Sequence, residues 1–318
     1  MIAVLGEAVV DLVEQEQQVY RAHPGGSPLN VAVGLGRLGR PTVLHARLGA
    51  DAFGPMFRRH LAASGVDASG LVAAAEPSTL AVATIGPDGA ATYDFWTAGT
   101  ADWQWTAAEL AGVPGPGAIA LHTGSMALEV EPGASAIRTL LRRERDRGAV
   151  TICYDPNVRL ARRGPVEAGG AEVRATVALS DLVKVSADDL AWLHPDRDPQ
   201  EVALRWVGGG GPALVVVTLG AAGAVAVTTG GVHRQVPAPP VDVVDTVGAG
   251  DAFMSGLLDA LAATGALGAG SRRALAGLTP ADLDDLLAHA CLVAAVTCTR
   301  AGADPPTRAD LDAAARSA

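Results

Sequence analysis

Two rhythms of apolar and polar positions alternate along the chain. The short apolar runs "IAVLG" (2–6), "AIALH" (118–122), "VTICYD" (150–155), "LVKVS" (182–186) and "ALVVVTLG" (213–220) have the length of strands and the unbroken hydrophobicity of strands covered on both faces. Between them, "PLNVAVGLGRLG" (28–39), "FGPMFRRHLAASG" (53–65), "GASAIRTLLRRERDRG" (133–148) and "PQEVALRWVGG" (199–209) read as helices. This alternation predicts an α/β fold with a central, mostly parallel sheet flanked by helices. Residues 9–26 and 78–96 break the rhythm and read as β-hairpins, the second turning at "GPDG"; together they predict a small sheet laid over one edge. The main domain is then 1–8, 27–77 and 97–318. The last third predicts two further helices, joined by an exposed loop over 265–279.

Composition narrows the classes. The chain has 318 residues, 49% of them hydrophobic, enough for a substantial core. A formal charge of -10, a pI near 5.1 and scattered basic residues leave no footprint for nucleic acid or an anionic membrane. Lys184 is the single lysine. Cys153, Cys291 and Cys298 have neither disulfide-framework nor zinc-ligand spacing and read as buried thiols of a reducing compartment. With no basic leader and no apolar run long enough to span a bilayer, the expected location is cytoplasmic.

Gly34, Gly36 and Gly39 match G-x-G-x-x-G, but that fingerprint needs a strand running straight into the glycines. Ser27 and Pro28 read as an N-cap and first-turn pair, so the helix starts before Gly34. Each interior glycine costs roughly 1 kcal/mol relative to Ala, and close packing against a neighbouring element is the reading adopted for them. No Walker A sequence occurs.

"DTVGAGDAFMSGLL" (245–258) carries chemistry. Gly248 and Gly250 permit close backbone approach, and the N–H groups of residues 248 to 251 are the unpaired donors of a helix start, an anion site. Phe253, Leu257, Leu258 and Leu261 form the stripe that fixes the helix against a core. Asp251 alone would do no more than complement the helix dipole. Beside donors that grip a phosphoryl group, it stands where a general base belongs.

These residues, with "GGSPLNVAVGLGRLG" (25–39), resemble the two signatures of the ribokinase-like (PfkB) carbohydrate kinases. "RLGADAFG" (47–54), "YDPNVR" (154–159), "VKVSADDLAWL" (183–193), "VVVTLGAAG" (215–223) and "RAGADPP" (300–306) follow in the family's order, closest to its bacterial fructokinases. The resemblance implies a ribokinase-like fold with residues 9–26 and 78–96 as a β-sheet lid, and transfer of the ATP γ-phosphate to a primary sugar hydroxyl. Catalysis falls to Asp251 with the anion hole of Gly248, Ala249 and Gly250. Asp11, Gly25, Gly26 and Asn30 would bind the sugar, Phe95 would cover its apolar face and Arg159 would stand near the substrate or transferred phosphate. An edge charge, a local packing bond, lid packing and a surface ion pair are the plainer readings of Asp11, Asn30, Phe95 and Arg159.

For ATP, the resemblance implies Thr218, Gly220 and Gly223, with Gly248 and Gly250 on its phosphates and Lys184 and Ser186 at a neighbouring strand end. A tight turn and an exposed lysine are the alternatives. Where many family members have Asn-x-x-Glu, this chain has Ser186 and Asp189, so Asp189 would reach Mg2+ through water. Asp245 matches a position near a monovalent-cation site, with K+ the implied ion. His122 and His289 read as core residues. A homodimer through the lid is a further expectation. Fructose is the expected acceptor; ribose, 2-keto-3-deoxygluconate, tagatose or a nucleoside are rivals, and a non-catalytic sugar- or nucleotide-sensing protein is the rival class.

Overall fold

A computed structural model describes residues 1–16, 19–85, 91–158 and 166–317. Its strands are β1 (Ile2–Leu5), β2 (Val9–Glu16), β3 (Val19–Gly25), β4 (Thr42–His45), β5 (Arg47–Gly49), β6 (Val72–Ala74), β7 (Leu80–Ile85), β8 (Ala91–Trp96), β9 (Ala120–Gly124), β10 (Thr151–Asp155), β11 (Leu182–Ser186), β12 (Leu214–Thr218), β13 (Ala224–Thr228) and β14 (His233–Val236). The main sheet has eight strands in the order β14-β13-β12-β11-β10-β9-β1-β4. From β12 to β4 all neighbours are parallel, and β13 and β14 finish the other edge as antiparallel strands.

Both faces of this sheet are covered, which is why its strands read as continuous apolar runs. Alternate residues serve opposite cores: Leu214 and Val216 pack in one, Val215 and Val217 in the other. The first core is closed by the helices Ser27–Arg37, Ala249–Thr264 and Pro280–Cys298, the second by Gly133–Arg147, Val166–Leu179 and Pro199–Gly208. Several helix starts are written locally. Thr279 and Asp282 form a reciprocal capping box ahead of Pro280, and Asp198 caps the helix that begins with Pro199.

The two predicted hairpins form a separate four-stranded sheet in the order β3-β2-β7-β8, with β2 and β7 parallel at its centre. The "GPDG" turn lies outside the described residues. Three expectations need correction. Residues 265–279 are not an open loop: Ser271–Ala276 is a short helix, and Ala266, Leu267, Leu275 and Leu278 are buried. Ser27 is not a cap; Gly26 holds that place, and the Ser27 hydroxyl is used elsewhere. A last helix, Arg308–Ser317, escaped the apolar pattern although Thr307 and Asp310 bond reciprocally at its start.

Gly34 and Gly36 are packing glycines, as read. A Cβ on Gly34 would stand 2.4 Å from Ser255 Oγ, and one on Gly36 would stand 2.3 Å from the Ser64 carbonyl oxygen. The two helices of the Gly34–Ser255 contact, Ser27–Arg37 and Ala249–Thr264, are also tied together through Asp259. Its buried carboxylate accepts hydrogen bonds from Arg40 at 2.7 Å and Arg308 at 2.7 Å and contacts His289 at 3.1 Å. His289 is thus a half-buried partner of this cluster, not a plain core residue, whereas His122 is fully buried. Burial would raise the Asp259 pKa, but the bonds from His289, Arg308 and Arg40 outweigh it and hold the group far below the ordinary 3.8. Its contribution is therefore present above the unfolded value and lost as pH falls through the acid range. Replacing Asp259 by Ala removes the shared acceptor of these partly exposed cations, and denaturant unfolding at neutral pH should show a loss of roughly 1.5 to 3 kcal/mol, the scale of hydrogen bonds to a charged group, with the difference from wild type shrinking on acidification.

Candidate active site

The chain runs from β1 outward to β4, then returns to lay β9 on β1's other side, so the topological switch lies between β1 and β9. In open α/β sheets a crevice forms outside the carboxyl ends of the strands at such a point. A cleft of about 530 Å³ lies there. Glu7 follows β1, Ser125 and Met126 follow β9, Asn157 and Val158 follow β10, and Asp188 and Asp189 follow β11; all line it. Ser125 (φ 56°) and Asn157 (φ 41°) are the non-glycine residues with left-handed φ among the described residues. That both strained positions fall on one cleft marks it as a site.

One wall is the start of the Ala249–Thr264 helix. Its cap, Gly248, has φ 76°, and a Cβ there would stand 2.6 Å from the Ala303 Cβ, so only glycine fits both backbone and space. Gly248, Gly250 and Asp251 line the cleft together. Ala249 differs from its neighbours: its N–H donates to the Thr246 carbonyl at 3.2 Å. Asp251 is buried, yet on the cleft surface. Ser27 Oγ donates to its Oδ1 at 2.6 Å and Asn30 Nδ2 to its Oδ2 at 2.8 Å. The two expected signatures therefore meet through hydrogen bonds across 224 and 221 residues of sequence. The Asn30 amide orients the carboxylate as well as facing the cleft.

Behind the anion hole lies the only lysine. Lys184 is not exposed: its Nζ is buried, 2.9 Å from Asp155 Oδ2, and 3.1 Å from where a Gly250 Cβ would lie. Burial alone would lower the lysine pKa, but Asp155, Asp189 and Asp251 outweigh it and raise it. Burial pushes Asp155 up to about 6 despite Lys184, with Asp189 and Asp251 adding to the rise. Both members of the pair are charged at neutral pH, so positive charge is fixed beneath Gly250. His122, on the same face of the sheet, is driven down to about 3 by burial and by Lys184 and stays neutral.

At the end of β11, Ser186 and Asp189 form a capping box: Ser186 Oγ accepts the Asp189 N–H at 3.0 Å and Asp189 Oδ2 accepts the Ser186 N–H at 3.0 Å. Asp189 Oδ1 also accepts the Val158 N–H at 2.7 Å. These local bonds give Ser-x-x-Asp a structural reason, with the Ser186 hydroxyl oxygen accepting from the start of the helix.

The second sheet supplies the opposite wall. Val9, Asp11, Ala81 and Phe95 line the cleft from one face of three adjacent strands, with Ala81 in register between Asp11 and Phe95. A Cβ on Gly25 would stand 2.0 Å from Asp11 Oδ2, so that glycine makes room for the carboxylate. Gly26 lines the cleft beside Ser27 and Asn30. Arg159 lies outside the described residues.

Thr218, Gly220 and Gly223 do not line this cleft; they sit beyond Ser186, at the end of β12 and in its turn to β13. Thr218 is half-buried and Gly220 exposed, but Gly223 is buried, where a Cβ would stand 2.0 Å from the Val236 carbonyl oxygen. Gly223 therefore serves the tight turn after β12. Asp245 accepts the N–H groups of Val247 at 3.0 Å and Gly302 at 2.8 Å, tying the turn before Gly248 to the segment after the Pro280–Cys298 helix. Glu7, Ser27 and Ser125 were not singled out by sequence as site residues.

A family model described as pfkB family carbohydrate kinase matches residues 1–310. The chain belongs to the pfkB family of carbohydrate kinases. A fructokinase of Klebsiella pneumoniae is 36% identical over 312 residues, covering 98% of this chain and 97% of that protein. A Xylella fastidiosa fructokinase structure with bound ATP matches at TM-score 0.88 and 24% identity, covering 99% and 98% of the two chains, a likeness of fold. A Vibrio cholerae fructokinase in a fructose, ADP and calcium bound form matches at TM-score 0.81 and 28% identity, covering 98% and 97%. The fold of this pfkB kinase is ribokinase-like, and its class of activity is ATP-dependent phosphorylation of a sugar. Among the described residues no helix is long and apolar enough to cross a membrane.

The buried pair gives this pfkB kinase a sharp test. Lys184→Met leaves Asp155 buried without its counter-charge, so the acid must take up a proton or stay ionised and unpaired, and chemical denaturation should show a loss of about 3 kcal/mol that grows as pH rises. Adding Asp155→Asn to that variant should recover a large part of the loss.

Proposed function

We propose that the chain is a fructokinase, transferring the γ-phosphate of ATP to the primary hydroxyl of D-fructose to give fructose 6-phosphate and ADP. The observation that carries this reading is Asp251: a carboxylate on the cleft surface, beside Gly248 and Gly250, with both oxygens oriented by Ser27 and Asn30. The fructose and ADP of the Vibrio neighbour and the fructokinase relatives support the choice of acceptor.

In the proposed reaction, Asp11, Gly25, Gly26 and Asn30 hold the sugar, Phe95 covers its apolar face, and Arg159 stands toward the transferred phosphate. Asp251 takes the proton of the acceptor hydroxyl as its oxygen attacks the γ-phosphorus and the bond to the bridging oxygen of ADP breaks. The backbone at Gly248 and Gly250 grips the moving phosphoryl group, the Ala249 N–H being held by Thr246, and Lys184 supplies a positive charge from below. ATP extends from there toward Thr218 and Gly220 along the carboxyl ends of β11 and β12.

Magnesium fits the donor set. Asp188 and Asp189 bring carboxylates to the cleft, yet no three His, Cys, Asp or Glu side chains converge on a metal position among the described residues. Asp188 and Asp189 would hold such an ion through its waters, and it would supply charge neutralisation to the ATP phosphates. K+ near Asp245 belongs to the same reading and would stiffen the turn before Gly248.

The second sheet, residues 9–26 and 78–96, acts as the lid; its closure keeps water from competing as acceptor. Tyr20 and Trp96, exposed on its other face, make that surface the natural seat of a homodimer.

An ATP-coupled screen of fructose, ribose, 2-keto-3-deoxygluconate, tagatose and common nucleosides should give fructose the highest kcat/KM. A distant ranking for fructose would overturn the acceptor and leave the kinase class. Asp251→Ala should lower kcat by roughly 10²- to 10⁴-fold, the scale of a lost general base, with sugar affinity changed far less. Near-normal turnover in that variant would remove the mechanism.

A further inference from the structure

Glu7 sits where the chain leaves β1 for β2, at the root of the second sheet. Its side chain has no solvent exposure, although the residue forms part of the cleft wall. Oε2 accepts the Ala127 N–H at 3.1 Å, while Oε1 is buried with no hydrogen-bond partner. A second buried acid, Asp102, lies close enough to repel it. Asp102 accepts the Ala8 N–H at 2.7 Å and the Thr79 hydroxyl, and so ties together the segments that carry the chain into β2 and β7. The acids therefore stand at the junction of both sheets. An ionised carboxylate sealed from water needs donors on both oxygens; Glu7 lacks them.

We propose that Glu7 is a positioning residue of the acceptor pocket that works as an uncharged carboxyl, holding the Ser125–Leu128 wall and the β1–β2 crossing in place opposite Asp251. The kinetic part of this inference rests on the kinase reading; the protonation state does not. Burial pushes the Glu7 pKa up to about 8 and Asp102 adds to the rise, while contacts with its own backbone and Ser125 and the Ala127 bond oppose it without reversing it. Asp102, better supplied with donors from Thr79 and Ala8, is raised by burial to about 6.

The charged side chains that line the cleft are of one sign, the Lys184 ammonium lying behind the Gly250 wall and paired with Asp155. Asp11, Asp188, Asp189 and Asp251 line it, and among the described residues no basic side chain does. Ionising Glu7 adds an uncompensated negative charge behind the wall. Because its folded pKa lies above the ordinary 4.5, its contribution to stability is complete below that value and falls as pH rises through about 8. Asp102 adds a similar but narrower fall, from 3.8 through about 6.

The test compares wild type with Glu7→Gln, which keeps the shape of the neutral acid without its titration. The glutamine variant should retain kcat within about threefold at neutral pH. In wild type the sugar KM should climb on the alkaline side of pH 8 while kcat changes little; in Glu7→Gln the sugar KM should stay flat. Ligand-free Tm should fall from pH 6 to pH 8 in wild type and much less in the variant. Infrared spectra of the unmutated protein should show a protonated carboxyl at pH 7 that disappears above pH 8, a measurement that needs no variant to fold. Absence of that band, or an unchanged alkaline rise of KM in Glu7→Gln, overturns the proposal. If wild type phosphorylates no sugar, the kinase reading fails, while the infrared and Tm results still decide the state of Glu7.

Discussion

The site depends on one pair of hydrogen bonds, from Ser27 and Asn30 to the two oxygens of Asp251. They join the first helix of the chain to one that begins more than two hundred residues later, and they fix the direction of a carboxylate at the mouth of an anion-binding turn. The surrounding packing serves this alignment. Gly34 admits Ser255 between the same two helices, and Asp259, two turns below Asp251, clamps them from the far end. A rotation of either helix would break all three contacts together, so the carboxylate's aim is set by core packing rather than by its own rotamer alone.

Charge is arranged in depth around that alignment. Acidic side chains line the cleft surface, the single ammonium lies beneath the glycines, and two acids lie sealed at the base of the second sheet. In the proposed reaction an incoming polyanion would meet backbone dipoles backed by a buried cation, and a neutral polyol would meet carboxylates suited to its hydroxyls. The proposed division of the cleft into a phosphate side and a polyol side rests on which charges are buried and which are exposed.

Much of this was legible in the chain because it is local. Apolar runs covered on both faces, the Gly-x-Gly-Asp helix start and the hairpins each write their structure within about twenty residues. What escaped was tertiary. Ser27 looks like a cap from sequence, but its hydroxyl finds Asp251 only once the helices pack. Glu7 and Asp155 are ordinary acids at strand ends until burial and distant neighbours define them. β13, "AVAVT" between glycines, is short and antiparallel, and the Val166–Leu179 helix has little apolar periodicity to betray it. The 265–279 segment was misread because its glycines and arginines resemble a solvent loop, while Leu267 and Leu275 in fact plug the core.

The burial of Lys184 has a consequence beyond the phosphate side. All other cationic side chains of lysine or arginine type are arginines, so the folded protein offers no side-chain amine at its surface. Acylating reagents, aldehydes and lysine-directed cross-linkers meet only the amino terminus until the interior opens. Appearance of label on the one internal amine would then report opening at the core behind the anion hole, a built-in chemical clock for the folded state.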